Sequence, residues 1–280
     1  LSLFPSFDAE QARMVSGENN AGELLRTLQE DTTMMLFDDL ERCHFWEVFQ
    51  QFLQWELARE YTLEQQKALY IRGGLYYELH EDYSNALECY AKGGDQKKIS
   101  DLLEKNAQNH PGTGHYLEMS HYYHLLPEQE IRSSPALMQG MSILCAMEMD
   151  YTASEHWYAL LKEFLQQCST SDAAYKDARS RLAWLDISLP QRSVEELPSK
   201  FLSLFQLMTN KEVKLPPFSV TSMLPSIMNG GKDFSAWSKR DDLLYNTLRH
   251  AVTAALGRDG VAMPECAIAE SKFEKGEDIT

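Results

Sequence analysis

Three groups of residues in this 280-residue chain are of types that could do chemistry. The run Asn229-Gly230-Gly231-Lys232-Asp233-Phe234-Ser235 places a lysine after a Gly pair, as a phosphate-cradling loop does. Such a loop also needs a Gly five residues before the Gly-Lys pair, to open its turn, and a Ser or Thr after it, to reach the metal ion. Ser226 and Asp233 stand at those places, so the Gly pair reads as a turn. The second group is His115, His121 and His124 in "GHYLEMSHYYHLL", the last two one helical turn apart, as metal ligands can be. No nearby Cys or carboxylate completes a zinc spacing, which favours packing or surface histidines. The third group is Cys43, Cys89, Cys145, Cys168 and Cys266, scattered and odd in number, which read as reduced and mostly buried thiols. No nucleophile elbow, HExxH pair or Gly-rich dinucleotide turn is present. Neither catalysis nor a bound metal is expected of this chain.

Aromatic and small residues at helical spacing are the stronger signal. Tyr70, Gly74, Tyr77, Ala86 and Tyr90 in "YIRGGLYYELHEDYSNALECY" occupy the slots of the tetratricopeptide pattern, with Gly73 departing from its Leu. Small residues at Gly74 and Ala86 would let two helices approach while Tyr77 and Tyr90 fill the space between them. One such hairpin cannot bury both faces, so neighbours are required. Two repeat lengths of about 34 residues further on, "MSILCAMEMDYTASEHWYALLKEF" echoes the first stretch: Asp150-Tyr151 matches Asp82-Tyr83, Tyr158 matches Tyr90, and Ser142 and Ser154 take the small positions. "AIAESKFEKGEDI" is similar to a further first helix, with Ala269 small and Gly276 closing the turn.

The bulk numbers set limits. A formal charge of −16 opposes a nucleic-acid surface, because phosphate contacts need clustered Lys and Arg. No run of about 18 apolar residues and no basic-then-apolar leader occur, so no membrane span is expected and the chain is placed in the cytoplasm. It opens at Leu1 without Met and stops at Thr280 in mid-repeat, which marks it as a fragment of a longer protein.

Residues 1–60 read differently from the rest. Two short helical patterns lead to "TTMMLFDDLERCHFWEVFQQFLQWEL", where β-favouring residues flank a polar turn at Asp38-Asp39 before a helix from about Trp46. Short helices, a hairpin and a helix make a winged-helix-like arrangement. Residues 61–110 form a helical arm holding the first hairpin, with Gly93-Gly94 as a stop and Asp95 as the next cap. Residues 111–280 are assigned to further repeats, with helices near 172–187 and 194–209. A proline-rich, apolar loop at 211–238 interrupts them, and its apolar content favours packing on the helices over disorder. The expected fold class is all-α: a tetratricopeptide-like superhelix after a small winged-helix-like domain.

This order of parts resembles the middle of the large ATP-binding, MalT-like regulators of the LuxR family. "FPSFDAEQARMVSGENNAGELLRTLQED" and "FWEVFQQFLQWEL" look like the start and closing helix of the family's winged helix. "LEQQKALYIRGGLYYELHEDYSNALECYAKGGDQKKISDLLEK" is similar to its helical arm, and "LLPEQEIRSSPALM" to the hinge entering its sensor repeats. The resemblance implies a P-loop ATPase upstream and a DNA-reading helix-turn-helix downstream, neither within these residues. ATP would then belong to the missing first domain and DNA to the missing last one, while this piece binds a small-molecule inducer or regulatory protein and relays that event. Self-association of the full-length protein is a further implication. The rival reading is a tetratricopeptide adaptor for protein–protein contacts, which explains the repeats but not residues 1–60.

Small-molecule sites combine aromatic walls with a few placed polar groups. Tyr116, Tyr122, Tyr123, His124 and Trp157, with Phe234 and Trp237 from the loop, are the residues expected to meet that description as an effector site. For each aromatic, packing between helices is the competing role.

Overall fold

The computed structural model describes residues 1–31, 34–38, 42–109, 116–170, 172–193, 196–210, 212–213, 239–256 and 261–277. The chain is mostly helical and separates into two compact units, Leu1–Leu102 and Leu103–Thr280. Among the described residues no helix is long and apolar enough to cross a membrane.

The first unit begins with an extended residue, Phe7, whose backbone exchanges hydrogen bonds with Cys43 at 2.9 and 2.6 Å. Asp8 then accepts from the backbone of Gln11 at 2.7 Å and starts α1, Ala9–Ser16, which Gly17 ends in the left-handed conformation. Helix α2, Ala21–Asp31, leads to an antiparallel hairpin of β1, Met35–Phe37, and β2, Cys43–Phe45, with Leu36 opposite His44. Asp38 holds the turn by accepting from the Arg42 backbone at 2.9 Å. Phe7, Ala12, Ala21, Leu25, Met35 and Cys43 form one core beneath these elements.

Helix α3, Glu47–Glu60, follows with no fully buried residue. Thr62 and Gln65 form a reciprocal capping box that starts α4, Leu63–Leu79, and Asp82 caps α5, Tyr83–Gly93. These two helices approach closely at Gly74, where an added Cβ would meet the Tyr90 ring at 2.7 Å. Gly73 faces Phe4, and the Tyr76 hydroxyl donates to the Asp8 carboxylate, so α4 is pinned to the segment before α1. Asp95 accepts from the Lys98 backbone at 3.0 Å at the start of α6, Gln96–Asn109.

The second unit contains α7, Ser120–Leu125, α8, Glu128–Arg132, α9, Pro135–Met147, and α10, Tyr151–Gln167. It continues with α11, Ala173–Ser188, α12, Leu197–Thr209, α13, Asp241–Leu256, and α14, Met263–Lys275. Helix α9 is buried along nearly its whole length, consistent with its run of Ala, Leu, Met, Gly and Cys.

One turn recurs in four places, among them the end of α5, where Gly94 adopts φ 72° and Asp95 donates to Tyr90 at 3.0 Å. After α4, Glu81 adopts φ 59°, and the next residue, Asp82, donates its N–H to Tyr77 at 2.9 Å. After α9, Met149 adopts φ 65°, and Asp150 donates to Cys145 at 2.8 Å. After α14, Gly276 adopts φ 69°, and Glu277 donates to Lys272 at 2.9 Å. A left-handed residue that lets the following N–H satisfy a helix-end carbonyl is an economical way to reverse the chain. Asp82, Asp95 and Asp150 each then cap the next helix, so α4–α5, α5–α6 and α9–α10 share both turn and cap.

Candidate sensing site

Gly140 is the residue around which two of the predicted aromatics, Tyr116 and Tyr123, gather. It lies in mid-helix on α9, where a Cβ would meet Tyr123 Cζ at 2.9 Å and Tyr116 Cε1 at 3.0 Å. The two rings sit 6.2 Å apart and tilted, and both are buried. Arg181 of α11 reaches the same region, almost wholly buried, donating from Nη1 to Gln139 Oε1 at 2.6 Å and from Nε to Asp177 Oδ2 at 2.8 Å. Burial pushes the Tyr123 and Tyr116 phenols well up from their ordinary range, and the Arg181 charge opposes that shift without cancelling it. Both phenols are therefore neutral at physiological pH. Among the described residues the Tyr123 hydroxyl and the Gln139 amide nitrogen have no hydrogen-bond partner. The result is a cluster of two phenols, an amide and a guanidinium set within an apolar interior.

The other predicted residues divide by location. His124 lies on the exposed side of α7, 3.3 Å from both Glu148 carboxylate oxygens, and Ser120 donates to Glu148 at 2.7 Å. That trio ties α7 to the end of α9 at the surface. Tyr122 is half-buried beside His121, with ring centres 5.5 Å apart. Trp157 is nearly buried within α10, next to His156. Phe234 and Trp237 lie outside the described residues, as does the loop at 211–238 apart from Glu212 and Val213. Those two pack on the helices: Val213 joins Ile187 and Leu204 in a small core, and Glu212 pairs with Arg179 at 2.7 Å.

A second polar network was not foreseen. Ser142 and Ser154, both fully buried, link α9 to α10 through a hydrogen bond from Ser142 Oγ to the Ser154 carbonyl at 3.0 Å. Gln191 donates to Ser154 Oγ at 3.0 Å and to Glu155 at 2.8 Å, and Arg192 donates to Glu155 at 2.5 Å. The Arg192 guanidinium lies 4.5 Å from the centre of the Tyr158 ring, whose hydroxyl donates to Asp186 at 2.9 Å. In the first unit Tyr90 is treated alike: its hydroxyl donates to Glu78 at 2.6 Å, and Lys98 lies 5.7 Å over its ring. The match between Tyr90 and Tyr158 was visible in the sequence. Their carboxylates and cations were not, because Glu78 precedes its tyrosine and Asp186 follows its own by a whole helix.

Among the described residues no group of three or more His, Cys, Asp or Glu side chains is placed to hold a metal ion. No protein-family profile matches the chain, and no curated protein or solved structure is similar to it.

Proposed function

We propose that this chain is the sensing and relay portion of an ATP-dependent transcriptional regulator of the LuxR type. The observation that carries the proposal is the order of elements: an extended residue, two helices and a hairpin on one core, then α3, then helix pairs that share one turn and cap. A strand residue, two helices and a two-stranded hairpin in this order are among the parts of a winged helix. The paired helices that follow have the close small-on-aromatic or small-on-small crossings of tetratricopeptide hairpins, at Gly74 on Tyr90 and at Ser142 on Ser154. An adaptor built only of repeats has no use for the first core.

In this reading the second unit receives an inducer or a protein partner, and the helix pairs pass a change in packing to domains outside these residues. Catalysis is assigned to none of its side chains. The test is the natural reading frame around this segment, followed by a promoter–reporter assay in cells. A phosphate-cradling GxxxxGK[ST] upstream and a basic helix-turn-helix downstream, with transcription lost when the Gly140 cluster is disrupted by Arg181→Met, are the outcomes expected. A frame with short polar flanks and neither motif overturns the proposal in favour of the adaptor.

A further inference from the structure

Two buried side chains of the second unit carry hydrogen-bond donors that the fold leaves without acceptors, and a buried guanidinium stands beside them. Tyr123 is wholly buried, and its hydroxyl has no partner among the described residues. Gln139 is 1% exposed. Its Oε1 must face Arg181, whose Nη1 donates to it at 2.6 Å, and that fixes the amide with Nε2 on the unpaired side. Buried polar groups are bonded in nearly all folded proteins, so two orphans in one cluster require a reason. Gly140 adds a second cost. A glycine in the middle of α9 weakens the helix, yet its missing Cβ is what lets Tyr123 lie against it, since a Cβ there would meet the ring at 2.9 Å. The sequence thus accepts a weaker helix and holds a hydroxyl against a backbone to which it does not bond. Local costs of this kind persist where a ligand recovers them.

The unpaired atoms say what chemistry would complete them. An amide N–H and a phenol kept protonated by burial are donors, so the missing group is an acceptor. Charge narrows the choice. Arg181, almost wholly buried, is the charged side chain that acts on both phenols, whereas the carboxylate of its partner Asp177 is 47% exposed and screened by water. The field at the phenols is therefore positive, which repels an ammonium and attracts an anion. We propose that this cluster binds the carboxylate of a small organic acid, its oxygens accepting from the Tyr123 hydroxyl and the Gln139 amide, its charge facing Arg181, and its remainder lying against the rings of Tyr116 and Tyr123. Aromatic walls with a few placed polar groups are what such a ligand needs. Because Tyr123 is wholly buried, entry requires α7 to lift, and α7 is only six residues long. The inference gives a ligand class to the sensing role proposed above and rests on that reading only for what binding achieves. Binding by this chain tests the site, whereas the promoter assay tests the parent protein, so the two fail separately.

The experiment melts the intact chain with sodium benzoate, benzamide, benzylamine or sodium chloride at matched ionic strength, and measures benzoate affinity by calorimetry. Benzoate should raise the melting temperature, benzamide should bind at least about tenfold more weakly for want of the charge, and benzylamine and chloride should change nothing. Tyr123→Phe should leave the unliganded melting temperature level or higher, since the hydroxyl has no partner to lose, yet weaken benzoate by about tenfold or more. Gln139→Glu keeps an acceptor for Arg181 and supplies a carboxylate from within, so it should abolish the benzoate shift while circular dichroism shows the fold retained. Absence of a benzoate shift, an equal shift with benzamide or benzylamine, or benzoate affinity unchanged by Tyr123→Phe overturns the proposal. A Tyr123→Phe chain that melts earlier without ligand overturns it too, because the hydroxyl then already has a partner such as an internal water.

Discussion

Gly74→Ala asks directly whether the α4–α5 hairpin is held by a close helix crossing. Two effects oppose each other. Replacing a mid-helix Gly by Ala favours the helix by about 1 kcal/mol, because the unfolded chain loses freedom and the folded backbone is better shielded. The new methyl would sit 2.7 to 3.0 Å from three atoms of the Tyr90 ring, well inside contact distance. That ring cannot easily step aside. It is wholly buried, its hydroxyl is bound to Glu78 at 2.6 Å, and Glu78 is itself engaged by Lys98 at 3.0 Å. Overpacking a fixed site costs about 1–3 kcal/mol and occasionally more. The clash should therefore win, by up to about 2 kcal/mol net. Amide exchange within α4 and α5 reads this locally and should accelerate, by up to about 30-fold. Gly74→Ala combined with Tyr90→Leu should cost less than the sum of the two single changes, because the smaller side chain removes the clash. If Gly74→Ala alone slows exchange, propensity has won and the close crossing is not what holds the pair.

Tyr123→Phe removes a buried hydroxyl that has no partner among the described residues, so stability in urea should stay level or rise by about 1 kcal/mol, whereas a loss of that size would reveal a missed partner. Burial raises the thiols of Cys43, Cys89 and Cys145 from an ordinary 9.0 to about 11, and the Tyr158 phenol from 10.0 to about 12. In each case the folded group keeps its proton where the unfolded one loses it, so stability is complete below pH 9 and falls as pH rises through about 11 and then 12. Each thiol should contribute on the order of 2 kcal/mol to that loss, and urea midpoints across pH 8–12 measure it. A flat midpoint over that range would refute the burial of these groups. Of the five thiols, Cys266 is exposed and should react with a disulfide reagent at once, while Cys43, Cys89 and Cys145 should wait for unfolding.

Much of the local structure was legible because it is written in short-range chemistry. Asp95 before α6, Asp82 before α5 and Asp150 before α10 are caps with a defined donor three residues on, and each makes that bond. The hairpin at Asp38 was readable from β-favouring residues on either side of a polar turn. Harder to read was the role of a residue whose neighbours come from elsewhere in the chain. Gly140 sits in a run of good helix formers, and only its cost to the helix hinted that something must press against it. Its partners, Tyr123 and Tyr116, are of the type that lines ligand sites, yet both are buried and in contact with one another. Aromatic and polar character at one position suits either a pocket or a packed interior, and sequence periodicity does not separate the two.

Helix α3 shows the same limit from the other side. Its apolar residues, Val48, Phe49, Phe52, Leu53, Trp55 and Leu57, spread over an arc of about 200°, wider than one buried face, so their spacing does not say which part is covered. What decides the orientation is a pair of glutamines bonded to the carbonyls of Ser2 and Phe4, a contact between residues far apart in sequence and unremarkable in type. Those bonds hold one side of the helix, Phe45 and Phe49 are half-buried, and Phe52 and Trp55 are left exposed. A helix fixed partly by polar bonds satisfies its glutamines but leaves Val48, Phe52 and Trp55 in water. Burial of apolar area is worth about 25 cal/mol for each Å² removed from solvent, a driving force that the fold of the described residues leaves unused at these positions.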